Sequence, residues 1–358
     1  MKNSLNKKYE PFWVYFKKNE KKFHSAVKNQ KNEERIFEKL STKLSEQLGV
    51  DIEYLAGMAD ENTVLLSFSA GGVLKNTVVI EEFVNSAPDI PGWKFTSSIP
   101  DIDMKDFRLE MFDHKVDRET LSFYSNDSPE YPDLIDITFV HSDLNDENIS
   151  TITHGTYIFL QSYLGEIFFI TTIDKLNVIG KKHKKKEQIP LDKLKAFLTW
   201  KEKEFIEKYD ATRYDTQNDM NSVVAGSLEN GRPLIATINS TLLEWDGKAS
   251  HPWILSVQIN YDGEANNGLP DDPTYKLLDN IEDKVKEELK DIDGYLNIGR
   301  QTADGSRNIY FACKDFRRPS RVLHQLRKKH LHEDKIDICF DIYKDKYWQS
   351  FDHFRHHL

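Results

Sequence analysis

Cysteine is nearly absent from this 358-residue chain, which holds only Cys313 and Cys339. Two distant thiols on strand-like segments cannot make the framework that staples a small secreted fold, and they suit a reducing cytoplasm. Long apolar runs are also missing. None approaches the ~18 residues of a membrane-spanning helix, and the richest, Ile167 to Ile173, reads as a buried strand covered on both faces. Met1 to Glu10 is polar and basic with no apolar stretch, which predicts no signal peptide. Positive charge is outnumbered, 49 Lys and Arg against 59 Asp and Glu, for a net charge of -10. That balance disfavours a general nucleic-acid binder and admits a basic protein partner. The loops lack G-x-x-x-x-G-K-[ST], G-x-G-x-x-G and G-x-S-x-G, and no H-E-x-x-H occurs. The expectation is a soluble cytoplasmic protein with no cofactor and no membrane partner.

What is present is most telling in the last third, Trp253 to Tyr343. Trp253, Leu255, Val257, Ile259 and Tyr261 fall on alternate residues, as do Leu296 and Ile298, then Ile309, Phe311 and Cys313, then Ile336, Ile338, Phe340 and Ile342. Period-2 alternation marks strands with one buried and one polar face. Two helical stretches lie between them. Asp272-Pro273 starts the first as N-cap and N1, with Tyr275, Leu278, Ile281, Val285 and Leu289 as its apolar stripe. Pro319 opens the second, with Val322, Leu323 and Leu326 inward. The order β-α-β-β-α-β is that of a ferredoxin-like split unit. Asn230-Gly231 and Asp304-Gly305 are hairpin turns, the former joining two extra strands ahead of the unit. Tyr347 to Phe351 predicts a short closing aromatic helix.

The N-terminal half is a second α+β unit. Phe12, Trp13, Phe16, Phe23 and Val27 stripe one helix, and Ile36, Phe37, Leu40, Leu44 and Leu48 stripe the next. Strands are predicted at 52–55, 64–68, 93–95, 107–111, 121–124 and 134–140, with helices at 78–84, 146–164 and from Pro190 onward. The polar stretch Asp210 to Asn221 lacks apolar periodicity and separates two domains, 1–210 and 222–358. The fold class is therefore α+β in two domains, the second ferredoxin-like with an extra N-terminal hairpin.

Candidate sites are few. Opposite the apolar rows of the C-terminal strands lie Ser256, Gln258 and Asn260, Asn297, Gly299 and Gln301, Asn308, Tyr310 and Ala312, and Asp337, Asp341 and Tyr343. A flat polar face with tyrosines and acidic groups is protein-recognition material. It is equally the solvated side of an antiparallel sheet, the commoner use, or a docking surface for the other domain. Arg300 falls by alternation on the inward face after Leu296 and Ile298, where a guanidinium must find a carboxylate or carbonyls unless it snorkels out. Arg232 and Arg307 read as ordinary turn-adjacent arginines. Lys181 to Lys186 reads as a solvated loop, and Gly71-Gly72 as a weak phosphate cradle. Among His324, His330, His332, His353, His356 and His357, the spacings His330-x-His332 and His353-x-x-His356 could bind zinc if brought together, but no cysteine partner lies nearby and the cluster reads as structural or adventitious. Glu166, Arg300 and Tyr54 are the residues an inter-domain enzyme or small-ligand site would use.

A resemblance is carried by Asn230-Gly231-Arg232-Pro233, Gly268-Leu269-Pro270, Ile281-Glu282-Asp283, Gly299-Arg300-Gln301-Thr302, Asp304-Gly305, Ile309-Tyr310-Phe311 and Tyr347-Trp348. In order and spacing, the segment from about Val223 onward resembles the bacterial family known as domain of unknown function 695. The region before it resembles that family's companion region through Tyr54-Leu55-Ala56-Gly57, Gly92-Trp93-Lys94-Phe95 and Leu164-Gly165-Glu166. The resemblance implies no established activity. In some related architectures the domain looks fused to one similar to regulator of ribonuclease activity B, a small acidic ferredoxin-like inhibitor of an RNA-degrading enzyme. The expectation is a non-catalytic regulator or immunity-type inhibitor that binds a basic protein, a nuclease among the candidates. Its predicted interface is Tyr310, Asp337, Asp341 and Tyr343, with Arg300 and Trp348 shaping the edge.

Overall fold

The computed structural model describes residues 2–29, 33–103, 108–111, 113–330 and 336–355. Phe107, His332, His356 and His357 lie outside the described residues, as do the side chains of Ile36, Phe37 and His330. Among the described residues helices alternate with strands that form four sheets, an α+β architecture, and the chain divides into two compact units at Lys203/Glu204.

The first unit is built on two small cores. Helices α1 (Lys2–Asn29) and α2 (Glu33–Leu48) precede β1 (Glu53–Met58), β2 (Val64–Ser69), α3 (Leu74–Asn85) and β3 (Trp93–Thr96). The sheet order is β1-β2-β3, with β2 and β3 parallel because α3 carries the chain back between them. The apolar stripe of α1 buries Phe12, Trp13 and Phe16 against Phe83 and Phe95. A hairpin of β4 (Leu109–Met111) and β5 (His114–Val116) leads to β6 (Leu121–Asn126), β7 (Asp136–His141), α4 (Ile149–Leu164), α5 (Glu166–Thr172), β8 (Lys175–Gly180) and β9 (Ile189–Pro190). These four strands order as β8-β7-β6-β9, and α6 (Leu194–Tyr209) buries Leu194 and Leu198 in the second core. The run Ile167 to Ile173 is not a strand. Gly165, at φ 81, breaks α4 and the apolar run restarts as α5. A run of seven residues, five of them apolar, carries no period that separates a buried strand from a buried helix turn. The strand that returns the chain is β8, parallel to β7.

The second unit holds one six-stranded sheet. Strands β10 (Asn221–Ser227) and β11 (Pro233–Asn239) form the first hairpin, followed by α7 (Ser240–Leu243) and β12 (Trp253–Tyr261). Helix α8 (Asp272–Glu288), β13 (Tyr295–Ala303), β14 (Ser306–Cys313), α9 (Arg317–His330), β15 (Ile336–Lys344) and α10 (Asp352–Arg355) complete it. The order is β10-β11-β13-β14-β12-β15, antiparallel at every neighbour. Asp271, not Asp272, is the N-cap of α8: its carboxylate accepts the Thr274 N–H at 2.9 Å.

One irregularity decides which side chains share a face. Strand β13 carries a β-bulge between Asn297 and Gly299, so Leu296 pairs with Ala312 whereas Arg300 pairs with Ile309. Leu296 and Ile298 therefore leave the row of Trp253, Leu255 and Ile309 and join Ile254 and Ala312 on the opposite face. Arg300 alone keeps the helix side. Gly299 sits at φ 146, and a Cβ there would collide with the Thr237 carbonyl and lie 2.9 Å from Ile238 Cα. Only glycine fits where β11 comes this close.

Candidate functional site

The bulge makes both faces of the C-terminal sheet bury side chains. On the helix side Leu278, Ile281, Val285, Leu323 and Leu326 are buried, as are Leu255, Val257, Ile259, Ile309, Phe311, Ile338, Phe340 and Ile342 of the strands. The opposite face carries its own core of Ala236, Ile238, Leu242, Leu243, Ile254, Leu296, Ile298 and Ala312, closed by Trp348, Phe351 and Phe354 from the C-terminal segment. The uniformly polar face expected from alternation is thus half covered.

That cover splits the six expected binding residues into three groups. Trp348 does not shape an edge. It is 1% exposed, adopts φ 55, and donates its indole N–H to the His251 carbonyl at 2.9 Å. A tryptophan four residues after a strand looks peripheral in sequence, but the turn at Asp345 folds it under the sheet. Tyr310 and Tyr343 are half-buried beneath the same segment: Tyr310 meets the Phe351 ring edge-on at 5.2 Å, and the Tyr343 hydroxyl donates to Ser350 Oγ at 3.1 Å. Burial, then the neighbouring Tyr343, pushes the Tyr310 hydroxyl up to about 12. Asp337 and Asp341 remain exposed on β15, opposite Asn260 and Ser256, with Gln258 exposed between them.

Arg300 points to the helix side, into a charge network that the turn-adjacent reading of Arg307 missed. Arg307 is 1% exposed, 2.6 Å from Asp279 Oδ1 and 3.9 Å from Glu282 Oε2. Its guanidinium lies over the Tyr275 ring at 4.9 Å and its Nε donates to Thr302 Oγ1. Arg300 donates to Asp279 at 3.1 Å, Glu282 at 2.9 Å and the Tyr275 hydroxyl at 3.2 Å. Lys286 completes the set at 2.5 Å from the other Glu282 oxygen. Burial alone would raise the Glu282 carboxyl, but the hydrogen bonds and charges of Lys286 and then Arg300 outweigh it and hold it below the usual range. The only sequence signal for this network was the spacing Tyr275, Asp279, Glu282, Lys286 on one helical face. Arg232 also has a structural partner set, bridging Asp304 and the two oxygens of Glu264 at the hairpin turns.

The residues of the rival small-ligand reading are each satisfied within their own unit. Glu166 is 1% exposed, accepting from Ser69 Oγ at 2.7 Å and the Ile99 N–H at 3.1 Å. The Tyr54 hydroxyl lies 2.8 Å from Ser41 Oγ. Within the second unit, a groove of about 390 Å³ runs beside the end of α8, lined by Lys286, Lys290, Tyr295, Asn297 and Asn239 over Phe311. Among the described residues no group of three or more His, Cys, Asp or Glu could hold a metal ion. No described helix is long and apolar enough to cross a membrane. The stretch Lys181 to Lys186 is exposed, with Lys186 donating to the Ser125 carbonyl at 2.9 Å.

Neither the curated proteins nor the solved structures include a match to this chain. Residues 223–355, the C-terminal part of the chain, match the model of the family of unknown function DUF695.

Proposed function

We propose that the C-terminal unit is a ferredoxin-like protein-binding module that regulates or inhibits a basic protein partner in the cytoplasm. Its strand order, with β14 inserted between β12 and β13 and β12 between β14 and β15, supports the split-unit reading. The count of only two cysteines, Cys313 and Cys339, on separate strands supports the reducing compartment. The observation that carries the binding reading is the exposed pair Asp337 and Asp341 on β15, beside Gln258 and Asn260 on a rigid sheet. Carboxylates fixed on a strand complement a cationic surface and steer its approach in a chain of net charge -10. The interface is narrower than the sequence suggests, since Trp348 and the tyrosines serve the core.

The test is affinity capture with the whole chain and with Asp337→Lys, Asp341→Lys, both checked for fold by circular dichroism. A basic protein held by the parent and lost by the variant supports the assignment. The same proteins on both, or none on either, refutes it. A second reading has one specific observation behind it, the groove with Lys286 and Lys290 on its wall, which is of the size that holds small ligands. It predicts a rise in melting temperature on adding a carboxylate- or phosphate-bearing metabolite, abolished in Lys290→Glu.

A further inference from the structure

The two edges of the C-terminal sheet are guarded very differently. An edge strand leaves backbone N–H and C=O groups ready to pair with another chain, and natural sheets blunt such edges with charges, prolines or bulges. Strand β15 has Asp337, Asp341 and Lys344 among its nine residues. Strand β10, at the far edge, reads Asn-Ser-Val-Val-Ala-Gly-Ser, with neither charge nor proline. Its register with β11 runs unbroken from Asn221 to Ser227, so no bulge bends it away. Nothing lies within 4 Å of where a Gly226 Cβ would be. The surroundings are apolar and open: Met220 is 72% exposed, Val223 70% and Ile235 40%. Val223 pairs with Thr237, and Thr237 with Arg300, so Val223 lies in the row that further along the sheet is covered by α8.

We propose that β10 pairs antiparallel with β10 of a second copy across a two-fold axis, extending one sheet through both molecules. Charge selects this occupant. A chain of net charge -10 repels its own copy over most of its surface, and the seven residues of β10 are a stretch where two copies meet with no like charges opposed. Pairing centred on Ala225 satisfies the edge amides and sets Ala225 against Ala225, and Val223 against Ser227, of the other copy. The charged β15 edge cannot repeat the contact, so the assembly closes as an isologous dimer rather than growing into a filament.

The experiment is light scattering of the whole chain over a range of concentrations, with Ala225→Lys, Ala225→Glu and their equimolar mixture. The parent has twice the chain mass, each single variant the mass of one chain, and the mixture regains the dimer, because opposite charges then face each other. Circular dichroism confirms that the variants fold, and Ser227→Lys replaces Ala225→Lys should that one not fold. A parent that stays at the mass of one chain at its highest concentration overturns the proposal. So does a parent dimer that survives both Ala225→Lys and Ser227→Lys.

Discussion

Both faces of the C-terminal sheet bury a core, one of them over only part of its area, and they do so by different means. The helix side seals apolar rows under α8 and α9 and adds a charge network of Arg307, Arg300, Asp279, Glu282 and Lys286 where the helix meets β13 and β14. The opposite side is closed by aromatic rings from the last residues of the chain, with no ion pair inside its core cluster. An apolar core loses stability in proportion to the volume removed. A buried charge network fails more abruptly, because removing one member leaves its partners uncompensated. The same sheet therefore has one face tuned by packing and one held by charge balance.

Breaking the charged face has the largest expected effect. Arg307→Ala removes the fully buried cation of the network, the one nearest Asp279 and over Tyr275, leaving Arg300 and Lys286 to balance the carboxylates, and costs about 3 kcal/mol, read from the urea midpoint. Arg300→Ala costs less, because its side chain is 26% exposed and water replaces part of what it loses. If the two variants proved equally mild, the network would not be what secures that face. Next is Trp348→Ala on the opposite face, expected to cost about 3–4 kcal/mol, because the ring is buried and its N–H is bonded to His251. A fully exposed tryptophan would cost a small fraction of that.

How much of this was legible in the sequence depends on whether a feature is local. The stripes of α1 and α8 and the turns at Asn230-Gly231 and Asp304-Gly305 are set by neighbours a few residues away, and they read correctly. The bulge at Ile298-Gly299 did not. A single glycine is its only trace, and the alternation of Leu296 and Ile298 looks normal until pairing shows that the phase changes. That single shift misplaced two apolar residues and concealed the second core. Arg307 was misread for a related reason, since hairpin-adjacent position says nothing about which face an arginine takes. Trp348 depends on a chain reversal that no periodicity records. Of the expected site, only Asp337 and Asp341 were placed on the open surface by local alternation alone, because β15 carries no irregularity.

A third prediction sharpens the contrast through pH. His251 lies under the aromatic cover, and burial first, then Lys314 and Arg213, lower its pKa to about 4. The unfolded chain takes up its proton near the ordinary histidine value of about 6.5. The resulting stabilisation is complete above that value and is lost as the pH falls towards 4, by up to about 3 kcal/mol. His251→Gln flattens the stability profile in that window. Glu282 acts in the same direction but lower: its depressed carboxyl contributes above the ordinary carboxylate range and loses its contribution as the pH falls through its folded value. Urea midpoints measured across the acid range separate the two, since Glu282→Gln changes only the lower part of the curve.

The smallest expected effect on stability is at Asp337 and Asp341. Both side chains are exposed, and water replaces most of what an exposed carboxylate loses on substitution, usually within about 0.5 kcal/mol. Asp337→Lys, Asp341→Lys should therefore melt with the parent while losing the basic partner that the proposed function assigns. The near-silence in stability gives the binding result its meaning, because a loss of partner cannot then be blamed on a loosened sheet. A fall of several degrees would instead show that the carboxylates support β15 itself, and the charged edge would be a guard of the fold rather than a surface for recognition.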